Sequence, residues 1–166
     1  MGGLLLLEVG VQTASPAGDG SSTAAFGGWR RMALMHRSRL STLLIDTPRE
    51  QAATAASFWS AALGVPAEPV PGEEQFISLP HAVPGLVTAV QAVDDAPRYH
   101  LDIETDDVDA ETARLVALGA VERSRWLDCR TLQVPGGQLV CVIPLHSDPD
   151  EFDRAAHVWP DGTPAS

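Results

Sequence analysis

The feature that most constrains this chain is an internal duplication. An apolar strand ends at the turn Asp46-Thr47-Pro48, an Ala-rich helix follows and stops at Gly64, and three short strand-like segments come next. The same order returns after Pro97, with a strand, a helix that ends at Gly119 and three more strand-like segments. Two copies indicate a duplicated module, because a solenoid needs at least about three repeats. The pattern predicts one α+β domain.

The rest of the chain is interpreted as two ends around this domain. We expect residues 1–38 to be a flexible extension, either an ordinary tail or a segment upstream of a true start at Met32 or Met35. The domain is expected over residues 39–145, with modules at about 39–95 and 98–145. Residues 146–166 are expected to be an acidic, solvated tail, because their acidic run lacks the Gly and the terminal Glu of a calcium-binding loop.

Charge and composition exclude several classes of function. The formal net charge is −11, and all 11 basic residues are Arg, with no Lys and no Asn, which suggests a GC-rich genome. A chain this acidic, without a basic patch, is not expected to bind nucleic acid. No apolar run approaches the roughly 20 residues of a membrane span. Cys129 and Cys141 lack CxxC spacing, so we expect neither a disulfide nor a zinc site, and a reduced, cytoplasmic protein.

One strand has a polar face. In the segment from Tyr99 to Glu104, side chains of Leu101 and Ile103 alternate with a polar set, His100, Asp102 and Glu104. A neutral imidazole that faces a cavity acts as a base, a hydrogen-bond donor or a metal ligand. The alternative is a histidine that simply pairs with a neighbouring carboxylate. The sequence leaves both open.

Several motifs together resemble the vicinal oxygen chelate superfamily, in its glyoxalase-like branch. They are Leu44-Ile45-Asp46-Thr47-Pro48, Phe58-Trp59-Ser60-Ala61-Ala62-Leu63-Gly64, Tyr99-His100-Leu101-Asp102-Ile103-Glu104, Leu115-Val116-Ala117-Leu118-Gly119-Ala120 and Val134-Pro135-Gly136-Gly137-Gln138. This superfamily includes glyoxalase I, bleomycin-resistance proteins and extradiol dioxygenases. The resemblance implies two βαβββ modules that form a curved, partly open, eight-stranded, barrel-like sheet, with the helices outside and a cavity between the modules.

The resemblance also implies where a metal would bind. The family's ligand positions fall on Thr42, Gln91, His100 and Leu139, of which only His100 and Gln91 suit a metal. Since catalytic zinc normally has three protein ligands, no cofactor is expected. If a divalent metal binds, we expect it at His100 and Gln91, with Asp102 or Glu104 completing the set.

These observations predict a protein that binds a small organic molecule. The leading interpretation is lyase- or isomerase-type chemistry with His100 as the catalytic residue; authentic glyoxalase I activity is not expected because the metal set is incomplete. The alternative is a non-catalytic protein of the bleomycin-resistance type that sequesters a drug or natural product, and a third is a dimeric scaffold with a filled cavity. A homodimer is expected from the resemblance alone. The expected ligand-binding residues are Thr42, Gln91, Asp102, Glu104 and Trp126.

Overall fold

The computed structural model describes residues 35–160. A short 3-10 turn, Arg49–Gln51, precedes the first of three α-helices. The helices are α1 (Ala52–Leu63), α2 (Val108–Ala117) and α3 (Pro149–Ala155). The nine strands are β1 (His36–Pro48), β2 (Glu68–Pro69), β3 (Phe76–Ser78), β4 (Val87–Val93), β5 (Arg98–Thr105), β6 (Val121–Trp126), β7 (Cys129–Gln133), β8 (Leu139–Pro144) and β9 (His157–Trp159).

The strands form a mixed sheet that is open at both ends. Its order is β2-β3-β4-β1-β5-β8-β7-β6, so the second half repeats the first in mirror order. The pairs β1–β4 and β5–β8 are parallel, and the antiparallel pair β1–β5 joins the modules. The α+β class and the duplication are therefore confirmed. A ninth strand, β9, adds to the eight that were expected and pairs with β1.

Helix α1 covers the first module. Ala52 and Ala56 are buried against Ile45, Val90 and other residues of the sheet. The helix ends at Gly64, whose φ of 68° is left-handed, a conformation that glycine adopts without steric cost. Because Ile45 packs with Ala52 and Ala56, it marks the side of β1 that faces α1.

Helix α2 covers the second module on the equivalent side. The Asp107 carboxylate caps it by accepting a hydrogen bond from the Ala110 backbone N–H at 2.9 Å. Its residue Leu115 packs with Ile103 of β5 and Leu132 of β7. Because strand side chains alternate, the opposite side of the sheet presents the other residues of β1, β4 and β5. We call that side the polar face.

The C-terminal segment differs from the solvated tail that we expected. Residues 149–159 form α3 and β9, and Phe152 of α3 is fully buried. Asp148 caps α3 by accepting from the backbone N–H groups of Asp150 and Glu151. The expectation of a solvated segment is wrong here because one apolar anchor and one cap hold an otherwise acidic helix against the sheet.

The beginning of the chain also differs slightly from the expected boundary. Strand β1 begins at His36, three residues before residue 39, where the domain was expected to begin. His36 is buried, and its Nε2 lies 2.8 Å from an oxygen of Glu111. Residues 1–34, which include most of the expected extension, lie outside the described residues. Within residues 35–160, no helix has the length and apolar character needed to cross a bilayer.

Candidate functional site

Buried polar side chains occupy the centre of the polar face. All of them are 5% exposed or less, and they come from three adjacent strands: Thr42 and Asp46 of β1, Gln91 of β4, and His100, Asp102 and Glu104 of β5. The predicted alternation along β5 is confirmed, since Ile103 packs on the α2 side. Burying so many polar groups is costly unless they are paired, so their partners decide what this face can do.

His100 lies between two carboxylates. Its Nδ1 is 2.9 Å from Oδ2 of Asp46, and its Nε2 is 3.5 Å from Oδ1 of Asp102. The Arg98 guanidinium donates to the same Asp46 oxygen at 2.9 Å. If Nδ1 carries the proton of the neutral ring, Asp46 accepts it and Nε2 is left as an acceptor that faces Asp102.

Asp102 is a buried carboxyl whose pKa is raised towards neutral pH. Burial raises its pKa to about 6, although the charges of His100 and His146 act in the opposite direction. Its Oδ1 makes no hydrogen bond within the described part of the chain. A buried carboxyl that titrates near neutral pH and faces an imidazole is suited to give or take a proton.

Glu104, two residues further along the same strand, is held by hydrogen bonds from other parts of the chain. Its oxygens accept from the Arg39 guanidinium, from Ser147 Oγ at 2.7 Å and from the Ser147 backbone N–H at 3.1 Å. His146 Nδ1 lies 3.0 Å away. Burial acts to raise the pKa of Glu104, but these partners outweigh it and hold the pKa well below its usual range. Glu104 therefore anchors the segment after β8.

Three donors on the polar face are close enough to share a metal ion. A ring nitrogen of His100, a carboxylate oxygen of Asp102 and Sγ of Cys141 all lie within 4.8 Å of one another. Such an N, O and S set fits a borderline ion such as Zn²⁺ with one open position. The Cys141 thiol would have to lose its proton, and burial, followed by the charge of Asp102, raises its pKa far above the usual value.

This donor group shares His100 and Asp102 with the set that the sequence indicated. Its third member, Cys141, lies on β8, the strand on which the resemblance placed a ligand position at Leu139. Leu139 begins β8, and Cys141 lies two residues later, on the same face by alternation. Cys141 is also the register partner of Asp102. The sequence shows that Leu139 and Cys141 are two residues apart, but it does not show that β8 pairs with β5.

A cavity of about 810 Å³ lies beside this polar face. Its walls include Arg39 and Ser41 of β1, the loop before β4, and the segment from His146 to the start of α3. Ser41 Oγ donates to the backbone carbonyl of Asp102 at 3.2 Å. Because Ser41 also lines the cavity, the cavity wall is in contact with the backbone of β5. Neither His100 nor Asp102 lines the cavity.

This cavity lies between the first module and the C-terminal segment. The resemblance implied a cavity between the two modules. Apolar side chains share the polar face with the buried polar centre. Leu44, Phe76 and Ala89 form one cluster. Cys129, Cys141 and Ile143 form another. These clusters lie on the polar face beside the polar centre, and Pro149 and Glu151 of α3 form part of the cavity wall.

The other residues that were expected to bind a ligand are placed as follows. Thr42 is the register partner of Asp102, and Gln91 is the partner of Asp46, so both are close to His100 in the sheet. Trp126 ends the edge strand β6 and is 49% exposed, and it does not line the cavity. The sequence did not single out Asp46, Arg39, Cys141 or His146 as site residues. Alternation predicts the face of Asp46, but only the C-terminal fold brings His146 to Glu104.

Comparisons with known proteins find similar solved structures and one family model. Among solved structures, methylmalonyl-CoA epimerase from Mycobacterium tuberculosis is 17% identical, with a TM-score of 0.44, over 67% of this chain and 89% of that one. A Streptomyces coelicolor methylmalonyl-CoA epimerase in complex with 2-nitronate-propionyl-CoA is 15% identical, with a TM-score of 0.43, over 66% and 98%. A Legionella pneumophila structure described as NAD-dependent benzaldehyde dehydrogenase is 13% identical, with a TM-score of 0.44, over 62% and 98%.

Identities this low say nothing about a shared substrate. No curated protein sequence matches the chain. The model of a family described as a glyoxalase-like domain matches residues 42–143, which span both modules from β1 to β8. The chain therefore belongs to the glyoxalase-like domain family of the vicinal oxygen chelate superfamily.

Proposed function

We propose that this protein binds a small organic molecule beside the polar face and catalyses proton transfer on it, in an isomerase- or lyase-type reaction. The observation behind this proposal is the array Asp46–His100–Asp102, in which an imidazole is held between two buried carboxylates. Structural ion pairs usually satisfy all of their oxygens, whereas Oδ1 of Asp102 makes no hydrogen bond within residues 35–160.

The array supports a defined division of roles. Asp102, with a pKa raised to about 6, exchanges the proton with the bound molecule, which has to reach inward from the cavity wall at Ser41 to meet it. His100 Nε2 faces Asp102 and accepts or returns that proton, while Asp46 stabilises the charged imidazolium through Nδ1. Arg98 donates to Asp46 and keeps its carboxylate in place, so Arg98 is a positioning residue.

A metal ion at His100, Asp102 and Cys141 would supply Lewis-acid chemistry if one binds. In that case the same three side chains orient the ion, and Asp46 still holds the far nitrogen of His100. The proton-transfer roles above are argued for the side chains alone.

A second candidate function is stoichiometric capture of a ligand without chemistry. It is favoured by one observation: the cavity of about 810 Å³ is lined by other residues than His100. A ligand that stays in the cavity can bind tightly and never meet the imidazole.

Hydrogen exchange in D₂O tests the proposal. The protein is incubated with a panel of carbon acids (2-oxo acids, 3-oxo esters and acyl thioesters), and loss of the α-proton is followed by NMR. We expect catalysed exchange on one class, with a rate that rises as pH passes through about 6, where Asp102 loses its proton. Asp102→Asn and His100→Gln should each lower the rate by about 10²-fold or more.

The controls separate loss of chemistry from loss of fold. Ser57→Ala changes an exposed hydroxyl that bonds within α1, and it should exchange like the parent. Thermal unfolding of each variant checks that the domain is intact. Exchange that survives in both site variants overturns the proposal. Binding of a compound without exchange would favour capture instead.

A further inference from the structure

We propose that the cavity beside the polar face selects an amphiphilic organic ammonium ion. This inference rests on the proposed function only in taking the cavity as the ligand site, and it adds the ligand's charge and character. The argument comes from which charged groups line the cavity, which of them are already paired, and what the remaining wall is made of.

The one guanidinium that lines the described cavity is already neutralised. Arg39 donates through Nε to Glu104 and through Nη1 to Glu151 at 3.1 Å. Its side chain is only 10% exposed, so it does not swing readily towards a new partner. A ligand carboxylate or phosphate would have to displace one of two carboxylates from it. The cavity is therefore poorly suited to an anion.

Carboxylates outnumber the guanidinium around the same space. Glu151 and Asp148 both line the cavity, and ionised Glu104 lies behind Arg39. Asp148 uses Oδ1 for both of its cap bonds, so neither bond involves Oδ2. Glu151 is half exposed at the rim. These three carboxylates against one guanidinium leave a negative surplus, and the overall charge of −11 attracts a cation from a distance.

The opposite wall is apolar. It is formed by the loop from Val83 to Leu86 and by Val87, the first residue of β4. Val83 and Leu86 form a small antiparallel bridge that closes a turn, with Gly85 at a φ of 76°. A turn held in this way presents its side chains as a fixed surface. A ligand that complements both walls has a hydrophobic body for the apolar loop and an ammonium group for the carboxylates.

The test uses three naphthyl compounds of the same body and different charge. They are 1-naphthylmethylammonium, 1-naphthalenemethanol and 1-naphthoate, and their binding to the full chain is measured by calorimetry at low and at high salt. We expect the ammonium compound to bind about tenfold more tightly than the alcohol and the carboxylate to bind least. The preference should shrink at high salt because exposed charges are screened.

Matched variants locate the effect. The double variant Asp148→Asn with Glu151→Gln should remove most of the tenfold preference, because Asn still caps the helix but has no charge. Asp153→Asn, on the same helix, pairs with Arg37 and does not line the cavity, so it should keep the preference. Leu86→Ala should weaken the binding of the ammonium compound and of the alcohol by the same factor, because it removes apolar wall and no charge.

Each result decides between defined outcomes. Equal binding of the ammonium compound and the alcohol, or tighter binding of the carboxylate, overturns the inference and leaves the cavity as a ligand site. A preference that survives in the double variant also overturns it. Failure of all three compounds to bind overturns it as well, while proton transfer at His100 and Asp102 is judged separately by the exchange experiment.

Discussion

Two carboxyl groups on one face of one strand behave in opposite ways. Asp102 and Glu104 are two residues apart on β5, and both are almost completely buried. The pKa of Asp102 is raised to about 6, whereas that of Glu104 is held far below its usual range. Burial acts in the same direction on both groups, so burial does not explain the difference.

The difference comes from hydrogen-bond donors. Glu104 accepts from a guanidinium, a hydroxyl and backbone N–H groups, all of which favour its ionised form. Asp102 has the His100 ring at 3.5 Å and the Cys141 thiol nearby, and its Oδ1 makes no hydrogen bond in the described residues. The fold uses Glu104 as an anchor and leaves Asp102 able to titrate. Substitutions at each position test this contrast.

Removing the charge of the anchor should have the largest effect. Glu104→Gln leaves the Arg39 guanidinium buried beside a neutral amide, and we expect a loss of about 3 kcal/mol in the free energy of unfolding at pH 7. Urea denaturation followed by circular dichroism measures it. Glu122→Gln, whose partner Arg125 is mostly exposed, is the control and should cost less than about 1 kcal/mol.

The pH dependence of the same variant has a definite sign. Because the folded pKa of Glu104 is lowered, its contribution is present above the ordinary value of 4.5 and is lost as pH falls through the folded value. The gap between the parent and Glu104→Gln should therefore narrow in acid. A gap that is constant from pH 7 to pH 3 would show that packing, not charge, causes the loss.

Asp102→Asn should have a smaller effect with the opposite pH dependence. A raised folded pKa means that Asp102 favours folding below about 3.8 and that this contribution is lost as pH rises through about 6. Relative to the parent, the variant should gain about 2 to 3 kcal/mol between pH 4 and pH 7. Urea denaturation at the two pH values measures this gain. A variant that loses stability over that range would mean that Asp102 is paired in the folded protein.

Ser147→Ala should have the smallest effect of the three. It removes the hydroxyl that donates to Glu104 at 2.7 Å but leaves the backbone donors, and we expect a loss of about 1.5 kcal/mol. The pKa of Glu104 should rise towards its usual range, which an NMR titration of the side-chain carboxyl would detect. Ser57→Ala on α1 is the matched control, with an expected change within about 0.5 kcal/mol. An unchanged Glu104 titration would assign the low pKa to Arg39, His146 and the backbone donors, without the hydroxyl.

Much of the fold was predictable because its patterns are local. Alternation along β5 predicted which side chains share a face, and Asp107 and Gly64 mark the beginning of α2 and the end of α1. The acidic C-terminal segment was misinterpreted, because one buried Phe152 outweighs an acidic composition and no local pattern shows what it packs against.

The candidate site was predictable only in part. His100 and Asp102 share the polar face, as period-two alternation implies, and Thr42 and Gln91 lie near them, where the resemblance placed them. Trp126 lies at a distant edge of the sheet. Asp46 and Cys141 come from strands on either side of β5, so their contact with the site depends on strand order. Strand order is a property of long-range pairing, which a single sequence shows only through its repeat.

The sequence by itself determined the duplicated module, the α+β class and the polar side of β5, because each depends on spacing along the chain. It indicated the family through motifs that resemble those of known members. The tertiary structure alone decided which buried carboxyl titrates, where the cavity lies and which charges line it. Those properties depend on donors brought from distant positions, such as Arg39 and Ser147 to Glu104. Two carboxyl side chains on one strand face take their different chemistry from the partners that folding places beside each of them.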